Sequence, residues 1–255
     1  MYCRECGTSN DDNNFRCIQC GAILQVPPPS EFGGAIERSM GEPMPWRASQ
    51  ALSYGWSRIK GDAATILGTL VVVILISGAL NAIERNVAMP AFISLALQLG
   101  TFVVQCFLTA GTTLFCLKVV RGEQYEIGDI FKGGRWLLPI MGAAILMGII
   151  VGFGFILLIV PGIILGLGLS MTFYCVVDRN EGPIEAMKTS WEITKGFRAD
   201  IFLFWLLSLF LVLGGLLAFC VGVFVAIPVI QVGWAFAYVS ISGQNIAFES
   251  QTPLT

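Results

Sequence analysis

Hydrophobic and polar positions are sorted along this chain into long blocks. Four stretches carry no Asp, Glu, Lys or Arg: Ala63 to Ile83 (21 residues), Asn86 to Leu117 (32), Trp136 to Val177 (42) and Ile201 to Phe248 (48). A helix crossing a hydrocarbon core about 30 Å thick needs about 20 apolar residues, each rising roughly 1.5 Å. The first two stretches therefore predict one span each, the second with an entry loop. The last two are too long for single helices and carry breakers near their middles, Pro161-Gly162 and Pro228, so each predicts a helical hairpin. Six spans result. The polar, cysteine-rich N-terminus lacks the basic-then-apolar pattern of a cleavable signal peptide, so the first span is expected to be an anchor.

Shorter amphipathic stretches precede the hairpins, each with a Lys-Gly pair, and each second span is expected to begin at a proline. Lys60-Gly61 leads to Pro90, Lys132-Gly133 to Pro161, and Lys195-Gly196 to Pro228, gaps of 30, 29 and 33 residues. Ala51, Trp56, Lys60 and Gly61 match Ala186, Trp191, Lys195 and Gly196 at a constant offset of 135. This predicts one unit used three times, an amphipathic helix followed by a hairpin. Basic loops and Pro-initiated helices are also common without any repeat. Between Arg47 and Lys60 the apolar face is Ala48, Leu52, Gly55, Trp56 and Ile59; between Pro183 and Lys195 it is Ile184, Met187 and Trp191. Such helices lie in the membrane plane or pack against protein, and both readings stand.

Composition sharpens the class. Of 255 residues 55% are hydrophobic and 13% charged, against about 45–50% and about 25% in soluble domains. Histidine is absent, which removes Ser-His-Asp and Cys-His catalysis, histidine metal sites and histidine pH sensing. Positive charge fixes an expected orientation, because cytoplasmic loops near span ends keep Lys and Arg. With six spans drawn, fourteen of fifteen positive residues fall on one side with both termini; Arg85 is the exception. That side is expected to be the cytoplasm, and the membrane the inner membrane of a bacterium or archaeon.

The segment Cys3 to Gly21 reads CRECGTSNDDNNFRCIQCG, two Cys-x-x-Cys-Gly knuckles. Two residues between cysteines let both thiolates turn toward one ion, and four thiolates at about 2.3 Å suit tetrahedral Zn²⁺. Cys3, Cys6, Cys17 and Cys20 are therefore the candidate ligands of one structural Zn²⁺ per chain, with a rubredoxin-like iron centre as the minor alternative. A disulfide reading conflicts with a reducing cytoplasm. A closed four-cysteine site has no open coordination position and serves shape, not catalysis. The spacing resembles the minimal zinc ribbons at the N-termini of many bacterial and archaeal membrane proteins. With two Arg and no Lys against Glu5, Asp11 and Asp12, the ribbon shows no phosphate-binding surface, and no nucleic-acid partner is expected. Residues 26–46, with five prolines and three glycines, form a linker of up to about 60 Å.

Within the spans the polar residues are neutral. Gln98, Gln105, Thr109, Thr112 and Cys116 share one face of span two; Gln231, Tyr238, Ser242 and Asn245 share one of span six. These faces either line a path or hydrogen-bond within the bundle. Cys106, Cys116, Cys175 and Cys220 are expected to be packing residues. Gly148/Gly152, Gly162/Gly166 and Gly214/Ala218, each four apart, are expected to mark close helix contacts.

The runs Lys118 to Glu123, Asp129-Ile-Phe131, Ile159 to Gly162, Pro183 to Ala186 with Ser190-Trp191, Thr194 to Gly196 and Ile227-Pro228 resemble the membrane domain attached to some bacterial glycerophosphodiester phosphodiesterases, over about residues 46–245. That family's catalytic barrel has no counterpart here, so the resemblance implies an anchor or sensor module. The fold expected is an all-α integral membrane protein of six transmembrane helices in three hairpins, with interfacial amphipathic helices and an N-terminal zinc ribbon. Its parts are the ribbon (1–25), the linker (26–46), the membrane domain (47–248) and a tail (249–255). A non-enzymatic role is expected, with the lipid bilayer and a cytoplasmic protein docked by the ribbon as partners. A carrier or flippase for a neutral or amphiphilic molecule is the alternative. A membrane enzyme would have to use Asp129, Asp178, Glu181 or Glu185.

Overall fold

The structure is a computed structural model. It divides into two compact units, residues 1–41 and 42–255, and it describes residues 46–86, 90–217, 221–244 and 246, all in the second unit. Every described element is helical: α1 (Ala48–Gly61), α2 (Ala63–Asn86), α3 (Ala91–Arg121), a 3-10 helix (Ile127–Trp136), α4 (Leu137–Leu157), α5 (Ile159–Gly168), α6 (Thr172–Arg179), α7 (Pro183–Ile193), α8 (Arg198–Leu217) and α9 (Val221–Ile241). Among the described residues six stretches are long and apolar enough to cross a membrane: Ala63–Ala82, Phe92–Arg121, Ile127–Leu157, Ile159–Arg179, Arg198–Leu217 and Gly222–Ile241. This is the pattern of a multi-pass membrane protein. The expected ribbon and all of the linker except Trp46 lie outside the described residues.

Two of the prolines act differently from expectation. Pro90 does stand at the entrance of α3. The break before α5, however, comes at Leu158, whose backbone is extended (φ −167°, ψ 150°), and Pro161 sits in the first turn, where its missing N–H leaves no bond unmade. The 42-residue run then breaks again at Leu169–Met171, giving three helices instead of two. Pro228 lies inside α9, seven residues after Val221, so it does not open the third hairpin's second helix. It leaves the Phe224 carbonyl without its usual i+4 donor.

The well-packed core occupies one end of the bundle. Its buried members come from the starts of α2, α4 and α8 (Ile66, Leu70, Ile140, Ala143, Ile201, Phe204) and the ends of α3, α6 and α9 (Phe115, Val120, Val176, Val177, Tyr238, Val239). At the opposite end Leu75, Phe92, Ile156, Leu158 and Leu217 are exposed, as suits side chains whose solvent is lipid. Two glycines close helices at the packed end by the same device. Gly122 (φ 70°) ends α3 with Glu123 N–H bonded to the Lys118 carbonyl at 3.0 Å, and Gly243 (φ 66°) follows α9 with Gln244 N–H bonded to the Val239 carbonyl at 3.0 Å. Both are left-handed caps of the kind glycine adopts without steric cost.

The amphipathic elements form a closed ring of contacts. α1, which leads into the first hairpin, packs on α9 of the third; the 3-10 helix, leading into the second, packs on α3 of the first; α7, leading into the third, packs on α6 and α4, and less on α5, of the second. Only Asp62 separates α1 from α2, and the 3-10 helix runs directly into α4. An element joined so tightly to the span that follows it cannot fold back along that span, so it covers a neighbour instead.

Glycines permit these crossings. A Cβ on Gly55 would collide with the Val229 carbonyl, one on Gly111 with the Ile130 carbonyl, and one on Gly168 with the Trp191 ring. Of the small pairs expected from spacing, Gly162 does pack closely, on Phe155, but Gly148, Gly152 and Gly214 have open space around the Cβ position and Gly166 meets only Val151 at 3.9 Å. Spacing of four residues places two glycines on one face without saying whether a neighbour passes there. α1 and α7 likewise bury small residues, Ala48, Ala51 and Gly55, and Ala186 and Ser190, together with the larger Ile59 and Met187. The larger Trp56 (47% exposed) and Ile184 (60% exposed) face outward. Close approach selects the small face, so each helix packs on protein with one side and leaves an apolar side free.

Gly111→Ala should lower stability by about 1–3 kcal/mol, because the Cβ meets backbone that cannot rotate away. Gly148→Ala should be neutral or stabilising by up to about 1 kcal/mol, since helical glycine carries an entropic cost and nothing lies in the way. Thermal unfolding in a mild detergent, comparing the two variants, checks this ranking.

Candidate functional site

Polar side chains at the packed end gather in three clusters where helices of different hairpins meet. The first joins α3, α6 and α9. Arg121 Nη2 donates to Asp178 Oδ1 and to Gln244 Oε1; Gln244 Nε2 donates to Asp178 Oδ2 at 2.7 Å, and Tyr238 Oη donates to the same oxygen at 2.9 Å. Tyr174 stacks on Tyr238 with centroids 5.4 Å apart. The Asp178 side chain is only 9% exposed, and its two oxygens accept three side-chain donors. A carboxylate so paired and bonded is stable in place.

The second cluster ties the 3-10 helix to α3. Asp129, 1% exposed, accepts from Lys118 Nζ at 3.0 Å, from Lys132 Nζ, and from the Glu126 N–H at 3.0 Å. Nearby, Asp62 stands at the joint of α1 and α2 and accepts from the Thr65 N–H at 3.3 Å, capping α2. Burial pulls its carboxyl up, but hydrogen bonds from Thr65 and from the Tyr125 hydroxyl outweigh this and hold it below its ordinary value. Tyr125 moves the other way, raised by burial and by bonding to Asp62.

The third cluster mends the break between α5 and α6. Ser190 Oγ on α7 donates to the Gly168 carbonyl at 2.9 Å and accepts from the Met171 N–H at 3.2 Å. Thr194 Oγ1 lies 3.2 Å from the same carbonyl. A helix broken inside an apolar layer leaves backbone groups that must find partners, and two fully buried hydroxyls supply them. Reading α7 as a greasy stripe of Ile184, Met187 and Trp191 passes over this role. The visible signal is a Ser and a Thr four residues apart, one helical turn, on the amphipathic stretch that follows an overlong apolar run.

The candidate residues fare as follows. Cys3, Cys6, Cys17 and Cys20 lie outside the described residues, as do Cys220 and Asn245. Asp129 and Asp178 are engaged as above. Glu181 Oε1 stands 3.9 Å from Arg179, and its Oε2 is buried with no hydrogen-bond partner among the described residues. Glu185 is exposed.

The polar faces of the spans turn largely inward. Gln105 accepts from Ser77 Oγ at 3.4 Å, Thr109 Oγ1 donates to the Gln105 carbonyl at 2.8 Å, and Ser242 Oγ donates to the Tyr238 carbonyl at 2.7 Å. Tyr238 belongs to the Asp178 cluster, whereas Gln98 is exposed on the outer surface of α3. Cys106, Cys116 and Cys175 are buried free thiols.

Three uncharacterised mycobacterial proteins are similar to the chain: Rv2560 and MT2637 of Mycobacterium tuberculosis and Mb2590 of Mycobacterium bovis. Each is 23% identical over 248 residues, covering 86% of this chain and 74% of the relative. No protein-family profile matches the chain, and no solved structure matches it.

Asp178→Ala should destabilise the protein by about 3–5 kcal/mol, because it strands the partly buried Arg121 guanidinium and the Tyr238 hydroxyl. Glu185→Ala should stay within about 0.5 kcal/mol, as exposed side chains away from special contacts do. Denaturant unfolding of the detergent-solubilised variants separates the two.

Proposed function

We propose that this protein is a six-span inner-membrane protein with both termini cytoplasmic, and that it acts by binding and not by catalysis. Its N-terminal segment folds around one structural Zn²⁺ held by Cys3, Cys6, Cys17 and Cys20 and docks a cytoplasmic protein. The donor set is the argument for the metal: four thiolates in two Cys-x-x-Cys pairs match the tetrahedral preference of Zn²⁺ and leave no position open for substrate. A membrane domain resembling the one attached to glycerophosphodiester phosphodiesterases, but carrying a ribbon in place of the enzyme, fits an anchoring role.

One observation carries the reading. Asp129 and Asp178, two of the four acids open to a membrane enzyme, are spent on structural ion pairs with Lys118, Lys132 and Arg121. A general acid or base needs a free edge facing substrate, and neither carboxylate keeps one. The functional chemistry is then left to the ribbon. Its Pro-rich tether provides reach, and the bundle provides a fixed base.

Orientation is tested with single cysteines introduced into a chain whose native cysteines outside the ribbon are replaced by serine or alanine. An impermeant thiol reagent on intact cells should label a cysteine at Asn86 and miss one at Thr252. The reverse pattern would overturn the orientation, and labelling at both would overturn six spans.

The docking role is tested by ranking two lesions. Purified protein should contain one zinc per chain, lost in Cys17→Ser with Cys20→Ser. Deleting residues 1–24 should reproduce the phenotype of complete loss, while Gln98→Leu with Gln105→Leu should leave activity largely intact. Carriage through the bundle predicts the opposite order. A folded glutamine double mutant without activity would sink the docking reading.

A further inference from the structure

α7 joins the span that ends at Arg179 to the one that begins at Arg198, and a cleft of about 340 Å³ opens between α4, α5 and α7. Leu146, Ile150, Leu165 and Trp191 wall this cleft, and Lys188 and Glu192 of α7 line it as well. Both charged side chains are exposed, so an occupant of the cleft meets them directly. Among the described residues neither enters an ion pair. They stand one helical turn, about 6 Å, apart along the helix. Lysine before glutamate is the weaker order for a pair at that spacing, and Glu192 lies in the last turn of α7, which holds no basic residue. There the helix's own carbonyl dipoles disfavour a carboxylate unless a cation meets it.

Three features of the cleft describe its occupant. Its walls are almost wholly apolar, and Leu146 and Ile150, one turn apart on α4, follow the span as an extended hydrocarbon chain would. Ile150 and Ile184, on two of its sides, are exposed, which opens it laterally. Its remaining lining residues are one cation and one anion on the same helix. A molecule with a hydrocarbon tail and a zwitterionic head complements all three. The cation of that head must carry N–H groups, because a carboxylate gains most from a charged hydrogen-bond donor, and a quaternary choline nitrogen has none to give. A head bearing only negative charge satisfies Lys188 and leaves Glu192 without a cation.

We propose that this cleft binds one phosphatidylethanolamine, its phosphate on Lys188, its ammonium on Glu192 and one acyl chain along α4. The two-carbon link of ethanolamine sets phosphate and ammonium at a separation that two flexible side chains one turn apart can match. The proposal goes beyond the docking role and rests on the membrane-spanning reading above, which puts α7 at the face of the bilayer. Tryptophans paired with cations mark the same level. Arg198 lies 3.9 Å from the centroid of the Trp191 ring, and Lys60 lies 5.3 Å from that of Trp56, the counterpart 135 residues earlier. Tryptophan and long basic side chains gather where headgroups meet hydrocarbon. Any phospholipid fills the apolar part equally well, because the surrounding bilayer is just as apolar, so the choice among heads is made at Glu192.

The test uses the full chain in nanodiscs of phosphatidylethanolamine and phosphatidylcholine in equal amounts with identical acyl chains, extracted into gentle detergent and weighed by native mass spectrometry. Wild type should retain one lipid per chain, with phosphatidylethanolamine favoured roughly fivefold, the size of one exposed ion pair. Glu192→Gln should bring the two lipids to equal retention. Lys188→Gln removes the partner of the phosphate that both lipids share, so it should lower the retention of both and leave their ratio unchanged. Glu185→Gln, at an exposed acid of the same helix outside the cleft, should change neither quantity. Thermal midpoints in phosphatidylcholine alone check that the variants are folded, and Glu192→Ala carries the comparison if the glutamine variant does not fold.

Equal retention of the two lipids by wild type, a preference that survives Glu192→Gln, or one lost equally in Glu185→Gln would overturn the site. Undiminished retention in Lys188→Gln would overturn the placing of the phosphate. Phosphatidylglycerol retained as well as phosphatidylethanolamine in a matched mixture would overturn the zwitterionic head, and free phosphoethanolamine competing as strongly as the lipid would overturn the choice of a membrane lipid. A chain released from membranes by alkaline carbonate would overturn the membrane-spanning reading itself. One that stays inserted without preferring phosphatidylethanolamine removes only the lipid site.

Discussion

Close backbone contact at glycine is the constraint on which the packed end of this molecule depends. In a lipid-like surrounding, apolar spans gain little by burying one greasy face against another, and association rests on tight packing and on hydrogen bonds between helices. Gly55 brings α1 onto the Val229 carbonyl of α9, and Gly111 of α3 lets the Ile130 carbonyl of the 3-10 helix approach closely. Those two crossings, with α7 over Gly168, close the ring in which each amphipathic element covers the preceding hairpin. Remove the small residues and the elements stand off by the width of a side chain.

The polar clusters are consequences of that ring. With the 3-10 helix lying along α3, Asp129 comes within reach of Lys118. With the ends of α3, α6 and α9 drawn together, Arg121, Asp178, Tyr238 and Gln244 meet although they are 57 to 123 residues apart from Arg121 in sequence. Each cluster binds elements of two hairpins or more, so the charges act as register pins for the packing that brings them together. Buried pairs often contribute little net stability against an apolar substitute, but breaking one is costly.

Form and function then divide the chain. The bundle offers fixed geometry at one end, apolar surface at the other, and acids committed to holding helices together. On the function proposed above, binding is the work of the N-terminal segment that carries Cys3, Cys6, Cys17 and Cys20.

Sequence and tertiary structure decided different things. Long charge-free runs settle helix and apolar character, because a helix satisfies its own backbone and its length is written in the run itself. Lys-Gly pairs and Pro90 likewise mark entrances to spans by local rules. Pro228 shows the limit: a proline inside an apolar run marks a helix start or a helix interior equally well, and only its neighbours decide. The same holds for glycines, where Gly148 and Gly152 have the right spacing and no partner, while Gly55 and Gly111 have partners that no local pattern announces. Ser190 and Thr194 lie outside the stripe of Ile184, Met187 and Trp191, yet their hydroxyls answer a broken helix some twenty residues earlier. Local composition determines what each segment is, since backbone hydrogen bonds and hydrophobicity act within a segment. Which segments touch depends on loop lengths and on steric clearance between distant backbones, and these exist only once the chain is folded.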